Sequence, residues 1–184
     1  MSIKKQTWLV SAIVLLALVV DQVSKVYIKT HFELGEAREV FSWFWIAFVE
    51  NNGMAFGIEW FSKLLLTLFR IVAVGLIGWY IHLMIHKQQV RTGYLATIAM
   101  VMAGALGNII DCVFYGKIWG YAGWFHGRVV DMLYFPLIEG HYWDWIPMVG
   151  GEHFIFFSPV FNLADSAICI GIFMLILFER RLYK

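Results

Sequence analysis

Only two cysteines are present, Cys112 and Cys169, and they have neither CxxC spacing nor a histidine cluster beside them. That rules out a disulfide framework and gives no support to a zinc site, so both read as small buried residues in or at the ends of apolar segments. Proline is nearly as scarce, with three residues at 136, 147 and 159, so the first two thirds of the chain contain no proline to break a long helix. Charged residues make up 15% of 184 positions, with a formal net charge of +1 and no basic run, which excludes a nucleic-acid-binding arm. Internal repeats and low-complexity stretches are absent. The histidines are scattered; only His82 and His86 share helical spacing, and near a helix end they read as a solvated pair rather than metal ligands.

The chain is instead rich in apolar side chains, 61% hydrophobic and 18% aromatic, too many for a soluble domain of this length. It reads as a single integral membrane domain, 1–184, an α-helical bundle of four transmembrane helices over about 8–28, 64–85, 94–114 and 159–178. A run of about 20 apolar residues at ~1.5 Å per residue crosses the ~30 Å hydrocarbon core. Lys4-Lys5 followed by Trp8 to Val20 has the look of a signal peptide, but no small-x-small site follows Val20 and the sequence stays helix-compatible to Ile28. A retained first helix is expected. Segment 30–63 carries early charges, an aromatic and β-branched run from Val40 to Val49 and then Glu50-Asn51-Asn52-Gly53, a pattern of strands joined by turns. Segment 115–158 is glycine-rich, aromatic and broken, a long outer loop of the kind that usually carries function. Ser158-Pro159 has the form of an N-cap and N1 pair opening the last helix.

Four spans put both termini on one side. Lys4, Lys5, Lys87, Arg91, Arg180, Arg181 and Lys184 crowd into short flanks on that side, which predicts cytoplasmic termini. The opposite side receives most tryptophans, as an interfacial belt does.

Ionisable residues inside apolar helices cost at least ~2.5 to 3.5 kcal/mol at the bilayer centre, so they face protein or water and usually have a task. Asn162 and Asp165 share a face of the last span at a spacing of three, and Asn108 and Asp111 do the same in the third. Asp21 and Lys25 are one turn apart in the first span, Asn51 ends the strand-like run, and Asp131 lies in the apolar stretch Arg128 to Leu133 outside the spans. Asp21, Asn51, Asn108, Asp111, Asp131, Asn162 and Asp165 all fall near the outer face. Beside the functional reading stands a structural one: an ion pair for Asp21 and Lys25, a turn for Asn51, and hydrogen bonds that lock helix packing for Asn108, Asp111 and Asp165. Two other classes also fit parts of the pattern, a small proton or ion transporter using intramembrane acids and a noncatalytic packing subunit. A relay would need polar groups across the whole bilayer, and a packing subunit leaves Asp131 unexplained.

Five blocks in order, Asp21-Gln22-Val23-Ser24-Lys25, Asn51-Asn52-Gly53-Met54-Ala55-Phe56, Gly107-Asn108-Ile109-Ile110-Asp111, Val129-Val130-Asp131 and Phe161-Asn162-Leu163-Ala164-Asp165, together resemble the lipoprotein signal peptidases (signal peptidase II) of bacteria. The resemblance implies an aspartic endopeptidase of the bacterial cytoplasmic (inner) membrane with Asp131 and Asp165 as catalytic dyad. It further implies cleavage of prolipoproteins just before a diacylglyceryl-modified cysteine, a small extracytoplasmic β-sheet cradle, inhibition by globomycin and no metal or organic cofactor. The substrate and membrane lipids are then the partners, and Asp21, Lys25, Asn51, Asn108, Asp111, Arg128 and Asn162 the supporting residues.

The chain departs from the family pattern in two places. Cys112 follows Asp111 where arginine is expected, so another cation must balance Asp111; with Lys25 matched to Asp21, Arg128 is expected there in preference to Arg70. The long stretches from Asp111 to Asp131 and on to Asn162 predict an added aromatic flap.

Overall fold

The computed structural model describes residues 1–52, 63–87, 90–156 and 158–183. Gly53 to Phe56 of the second block, and position 88 in the link between the second and third spans, lie outside them. Helix α1 runs Ile3–His31, α2 Lys63–Lys87 and α3 Thr92–Ile110. A π-helical turn, Asp111–Tyr115, and a short helix α4, Gly116–Ile118, continue α3; α5 is Leu163–Tyr183. Among the described residues, three helical runs are long and apolar enough to cross a membrane, Ile3–His31, Lys63–Lys87 and Thr92–Ile118, and Leu163–Phe178 of α5 is a shorter apolar run.

The absence of proline and the apolar stretch after Trp8 let α1 run unbroken. It stops where Phe32 turns extended and donates its N–H to Ile28, with Lys29 and His31 in the last turn against the negative end of the helix dipole. Gly35, at φ +90°, then reverses the chain, and its N–H bonds the Phe48 carbonyl. Strands β1 (Ala37–Phe41) and β2 (Phe44–Asn51) follow, in the region expected to form strands.

Segment 115–158 is not simply a loop. It supplies β3 (Val129–Tyr134), β4 (Ile138–His141) and β5 (His153–Phe156), and β6 (Val160–Phe161) comes just after it. An antiparallel four-stranded sheet has the order β1-β2-β3-β6, and the extra length forms a separate β4-β5 hairpin with Trp143 and Trp145 exposed. Strand β6 also corrects the start of the last span. Residues 160 and 161 pair with Tyr134 and Leu133, so the helix opens at Leu163 and Ser158-Pro159 is not its cap.

Two apolar cores show how the bundle is laid out. Val10 of α1, Ile81, Met84 and Ile85 late in α2, and Leu95, Ile98 and Ala99 early in α3 pack together at one end. At the other, Ile28 of α1, Phe48 of β2, Tyr115 of the π turn, and Val130 and Met132 of β3 form the second core. The helices therefore alternate in direction, and the sheet sits on the ends of α1 and α3. Helices α3 and α5 cross closely because Gly104 has no side chain; a Cβ there would strike the Ala164 carbonyl. Cys112 is buried as expected, whereas Cys169 is exposed.

Candidate active site

The polar residues expected from the sequence meet where the sheet joins the helix ends. Helical spacing brings Asp21 and Lys25 onto one face of α1, and the Lys25 ammonium, with no exposed surface, lies within 3.1 Å of three oxygens. They are Asp21 Oδ2 at 2.9 Å, Asp111 Oδ2 at 2.7 Å and Asn108 Oδ1 at 3.1 Å. Asp111 is thus balanced by Lys25, not by Arg128. One ammonium between two carboxylates serves both, a possibility lost when Lys25 is assigned to its own helix alone. Arg128 lies 3.2 Å from Glu50, and Arg70 reaches the Cys112 sulfur at 3.6 Å.

Gln22 ties the same group together and was not among the expected site residues. Its Nε2 approaches Asp21 Oδ2 at 3.1 Å, Asp111 Oδ1 at 2.9 Å and the Gly107 carbonyl at 3.3 Å, while Tyr115 donates its hydroxyl to Gln22 Oε1 at 3.1 Å. The available signal was a polar amide beside Asp21 in an apolar helix. Gly107 makes the cluster possible, since a Cβ there would come within 2.5 Å of Asp21 Oδ2.

Asn162 and Asp165 play two parts at once. Asn162 is the N-cap of α5: its Oδ1 accepts the Asp165 N–H at 2.8 Å, and Asp165 Oδ2 accepts the Asn162 N–H at 3.4 Å, the reciprocal pattern of a capping box. The carboxylate is thereby fixed in the first turn, at the positive end of the helix dipole. Ala164, in the same turn, donates its N–H to Asp21 Oδ1 at 3.1 Å.

Asp131 comes from the middle of β3, where its side chain points to the face opposite the apolar core formed by Val130 and Met132. Asn162 Nδ2 donates to Asp131 Oδ1 at 2.7 Å and to Asn108 Oδ1 at 3.2 Å; Asn108 Nδ2 donates to Asp165 Oδ1 at 2.7 Å. Asn51, last residue of β2, donates its amide to Asp131 Oδ2. Among the described residues, then, the two acids are held by amides, and Asn162 and Asn108 bridge them. Burial first, and the nearby Asp165 carboxyl second, push Asp131 up to about 7. No group of three or more His, Cys, Asp and Glu side chains is placed to hold a metal ion among the described residues.

Two aspartates on different elements, linked through amides at one end of an apolar bundle, make an arrangement suited to proton transfer. The family model described as signal peptidase (SPase) II matches residues 13–180. The chain belongs to the signal peptidase II family. It is 50% identical over 182 residues to the lipoprotein signal peptidase of Porphyromonas gingivalis, covering 91% of this chain and 80% of that protein. It is 38% identical to the lipoprotein signal peptidase of Amoebophilus asiaticus, covering 96% and 79%. Two solved structures of a bacterial membrane enzyme, obtained by the in meso method at 2.3 and 1.9 Å resolution, each superpose with a TM-score of 0.66 at 25% identity. They cover 94% and 92% of this chain and 87% and 91% of their own. As a signal peptidase II, the chain is a protease, and its apolar helices and likeness to membrane enzymes make it a membrane protein.

Proposed function

We propose that this signal peptidase II is an intramembrane aspartic endopeptidase that cleaves diacylglyceryl-modified prolipoproteins just before the lipidated cysteine. The observation that carries the proposal is the pair Asp131 and Asp165, held by Asn162 and Asn108, with the Asp131 carboxyl pushed up to about 7. Two close carboxyls share one proton, so one is a base while the other is an acid at the same pH. Asp165, at a helix N-terminus, is the base and Asp131 the acid.

Asp165 takes a proton from water, whose oxygen adds to the scissile carbonyl carbon as Asp131 gives its proton to the carbonyl oxygen. Collapse of the tetrahedral diol breaks the C–N bond, and the proton now on Asp165 passes to the departing amine. One of the two diol protons returns to Asp131 and the other stays on the product carboxyl, which restores the starting state. No step needs a cofactor. Asp21, Lys25 and Asp111 hold α1 and α3 so that Asn108 meets Asp165.

The chain works in this reading as one domain of four spans in a bacterial inner membrane, α5 being the fourth. Both termini are cytoplasmic and the site lies near the outer face, where exported precursors arrive; the basic residues flanking the termini support that orientation. Membrane lipids surround it, and globomycin inhibits it. The gathering of acids at the sheet end, away from the apolar core of Val10, Met84 and Leu95, favours local hydrolysis over a proton or ion relay.

The test is to incubate purified protein in lipid with a diacylglyceryl-modified precursor and follow the mass of the product. Loss of a signal peptide ending at the residue before the modified cysteine, blocked by globomycin, is the expected result. No mass change, or a cut elsewhere, refutes the proposal.

A further inference from the structure

A second charge cluster, its Lys29–Glu50 pair largely covered and its Arg128 half exposed, lies on the back of the sheet. Glu50 and Lys29 form an ion pair with side chains only 7% and 11% exposed, and the second Glu50 oxygen accepts from Arg128 Nη1 at 3.2 Å. One carboxylate therefore joins the end of α1, the end of β2 and the residue that leads into β3. The Lys29 ammonium also sits 5.0 to 5.4 Å from the ring centres of Phe48, Trp119 and Tyr121, and the Tyr121 hydroxyl accepts the Arg128 N–H at 2.7 Å. A largely buried ion pair is weak evidence for stability because desolvation offsets its attraction, so its place here calls for another reason.

The strand register supplies that reason. Ile46 pairs with Leu133 but Val49 pairs with Asp131, so β2 carries one extra residue just before its functional end. Past this bulge, Glu50 pairs with Val130 on the apolar-core face and Asn51 pairs with Val129 on the face of Asp131. A slip of one residue would send Glu50 forward and Asn51 back.

We infer that Glu50 is a positioning residue: held from behind by Lys29 and Arg128, it fixes the register beyond the bulge and so aims the Asn51 amide at Asp131. The inference rests on the proposed role of Asp131. Among the described residues, Asn51 and Asn162 are the amides on that carboxyl, and the charges acting on it are Asp165 of α5 and Lys25 of α1. A donated hydrogen bond favours the ionised carboxylate, so losing it moves the titration of Asp131 upward.

The experiment is a double-mutant cycle between E50Q and N51A on the full chain in lipid, measuring kcat, KM and the pH profile of precursor cleavage. Glutamine keeps the shape of Glu50 and removes its charge. E50Q is expected to lower kcat roughly 10- to 100-fold with KM within about twofold, the size of effect that follows when a catalytic group is displaced by about an ångström. Its alkaline limb should move to higher pH, as in N51A, and added to N51A it should cost less than about twofold more. Should E50Q fail to accumulate, R128Q takes its place in the cycle, since that side chain is half exposed and releases only one arm; a smaller but equally non-additive loss is then expected. Additive losses, or a lowered melting midpoint with kcat and pH profile unchanged, overturn the inference. D131N separates the two levels: full turnover by D131N removes the catalytic reading and this one with it, whereas an inactive D131N with additive E50Q and N51A removes only this one.

Discussion

Two pairs of aspartates lie at the same end of the bundle, and they are wired differently. Asp21 and Asp111 have the Lys25 ammonium between them, 2.9 and 2.7 Å away, and Gln22 across their other oxygens. Asp131 and Asp165 have side-chain amides between them instead. An ammonium placed between two carboxylates offsets one of their two charges and fixes their geometry, which makes a brace. Amides donate hydrogen bonds without supplying charge, so a proton must do the compensating, and a proton can be passed to substrate. The residue types are the same in both pairs; the group between them decides which pair can do chemistry.

Converting each acid to its amide should break this comparison most sharply. Asp131→Asn and Asp165→Asn should each lower cleavage by about 10²- to 10⁴-fold, the usual contribution of a general acid or base, with lipid-substrate binding and protein yield nearly retained. Asp111→Asn and Asp21→Asn should instead lower yield and melting midpoint together with activity. Comparable turnover by wild type and either dyad variant would end the assignment.

Next in size is Lys25→Met. Removing one partner of a buried pair costs about 3 to 5 kcal/mol, because the charge left behind is uncompensated. The variant should accumulate poorly, and adding Asp111→Asn should recover part of the yield; a Lys25→Met protein with wild-type thermal stability would show that the brace is not needed.

The third expectation concerns pH. The Asp131 carboxyl is raised from ~3.9 in an unfolded chain to about 7 in the fold. A raised value means that the folded state holds the proton more tightly, so this contribution to stability is full below about pH 4 and is lost as pH rises through about 7. The melting midpoint should fall between pH 5 and 8. In Asp131→Asn it should fall less and lie higher at pH 8, while the alkaline limb of wild-type kcat should lie near 7. A pH slope unchanged by Asp131→Asn would contradict the burial argument.

The smallest effect should come from Gln22→Leu, which leaves the ammonium in place and removes only the amide across the brace. A loss of roughly 1 to 3 kcal/mol is expected from the bonds it makes, read as a modest drop in melting midpoint with the pH profile of cleavage unmoved.

Much of this site was legible in the sequence because acids and amides stand out in apolar helices, and Asp21, Asn108, Asp111, Asn162 and Asp165 were all found that way. What could not be read was who partners whom. Lys25 has an obvious neighbour one turn away on its own helix, and nothing local reveals that α3 brings Asp111 and Asn108 to it as well. Arg128 sits three residues from Asp131, yet its partner is Glu50, a residue 78 positions away. The start of α5 is ambiguous in the sequence for a similar reason. Ser158-Pro159 and Asn162-x-x-Asp165 are both plausible helix openings, and the choice is made by the pairing of Val160 and Phe161 with β3, more than 25 residues upstream. Strands were foreseen around β1 and β2 from their aromatic and β-branched run, whereas β4 and β5 were hidden in a glycine-rich stretch read as loop.

The π-helical turn at Asp111–Tyr115 makes the chain unequally tolerant of changes in length. Its Cys112 and Val113 carbonyls accept the N–H groups of Gly127 and Phe125, so the following loop is docked on the widened turn. Deleting one residue between Asp111 and Tyr115 would restore ordinary helical geometry and remove the widened turn on which that loop docks. Tyr115 would leave Gln22, and the loop that leads into β3 would lose its moorings. The stretch between His141 and His153 connects the two strands of its own hairpin, and among the described residues its backbone hydrogen bonds stay within it. Insertions and deletions between related chains should therefore gather there and avoid the turn.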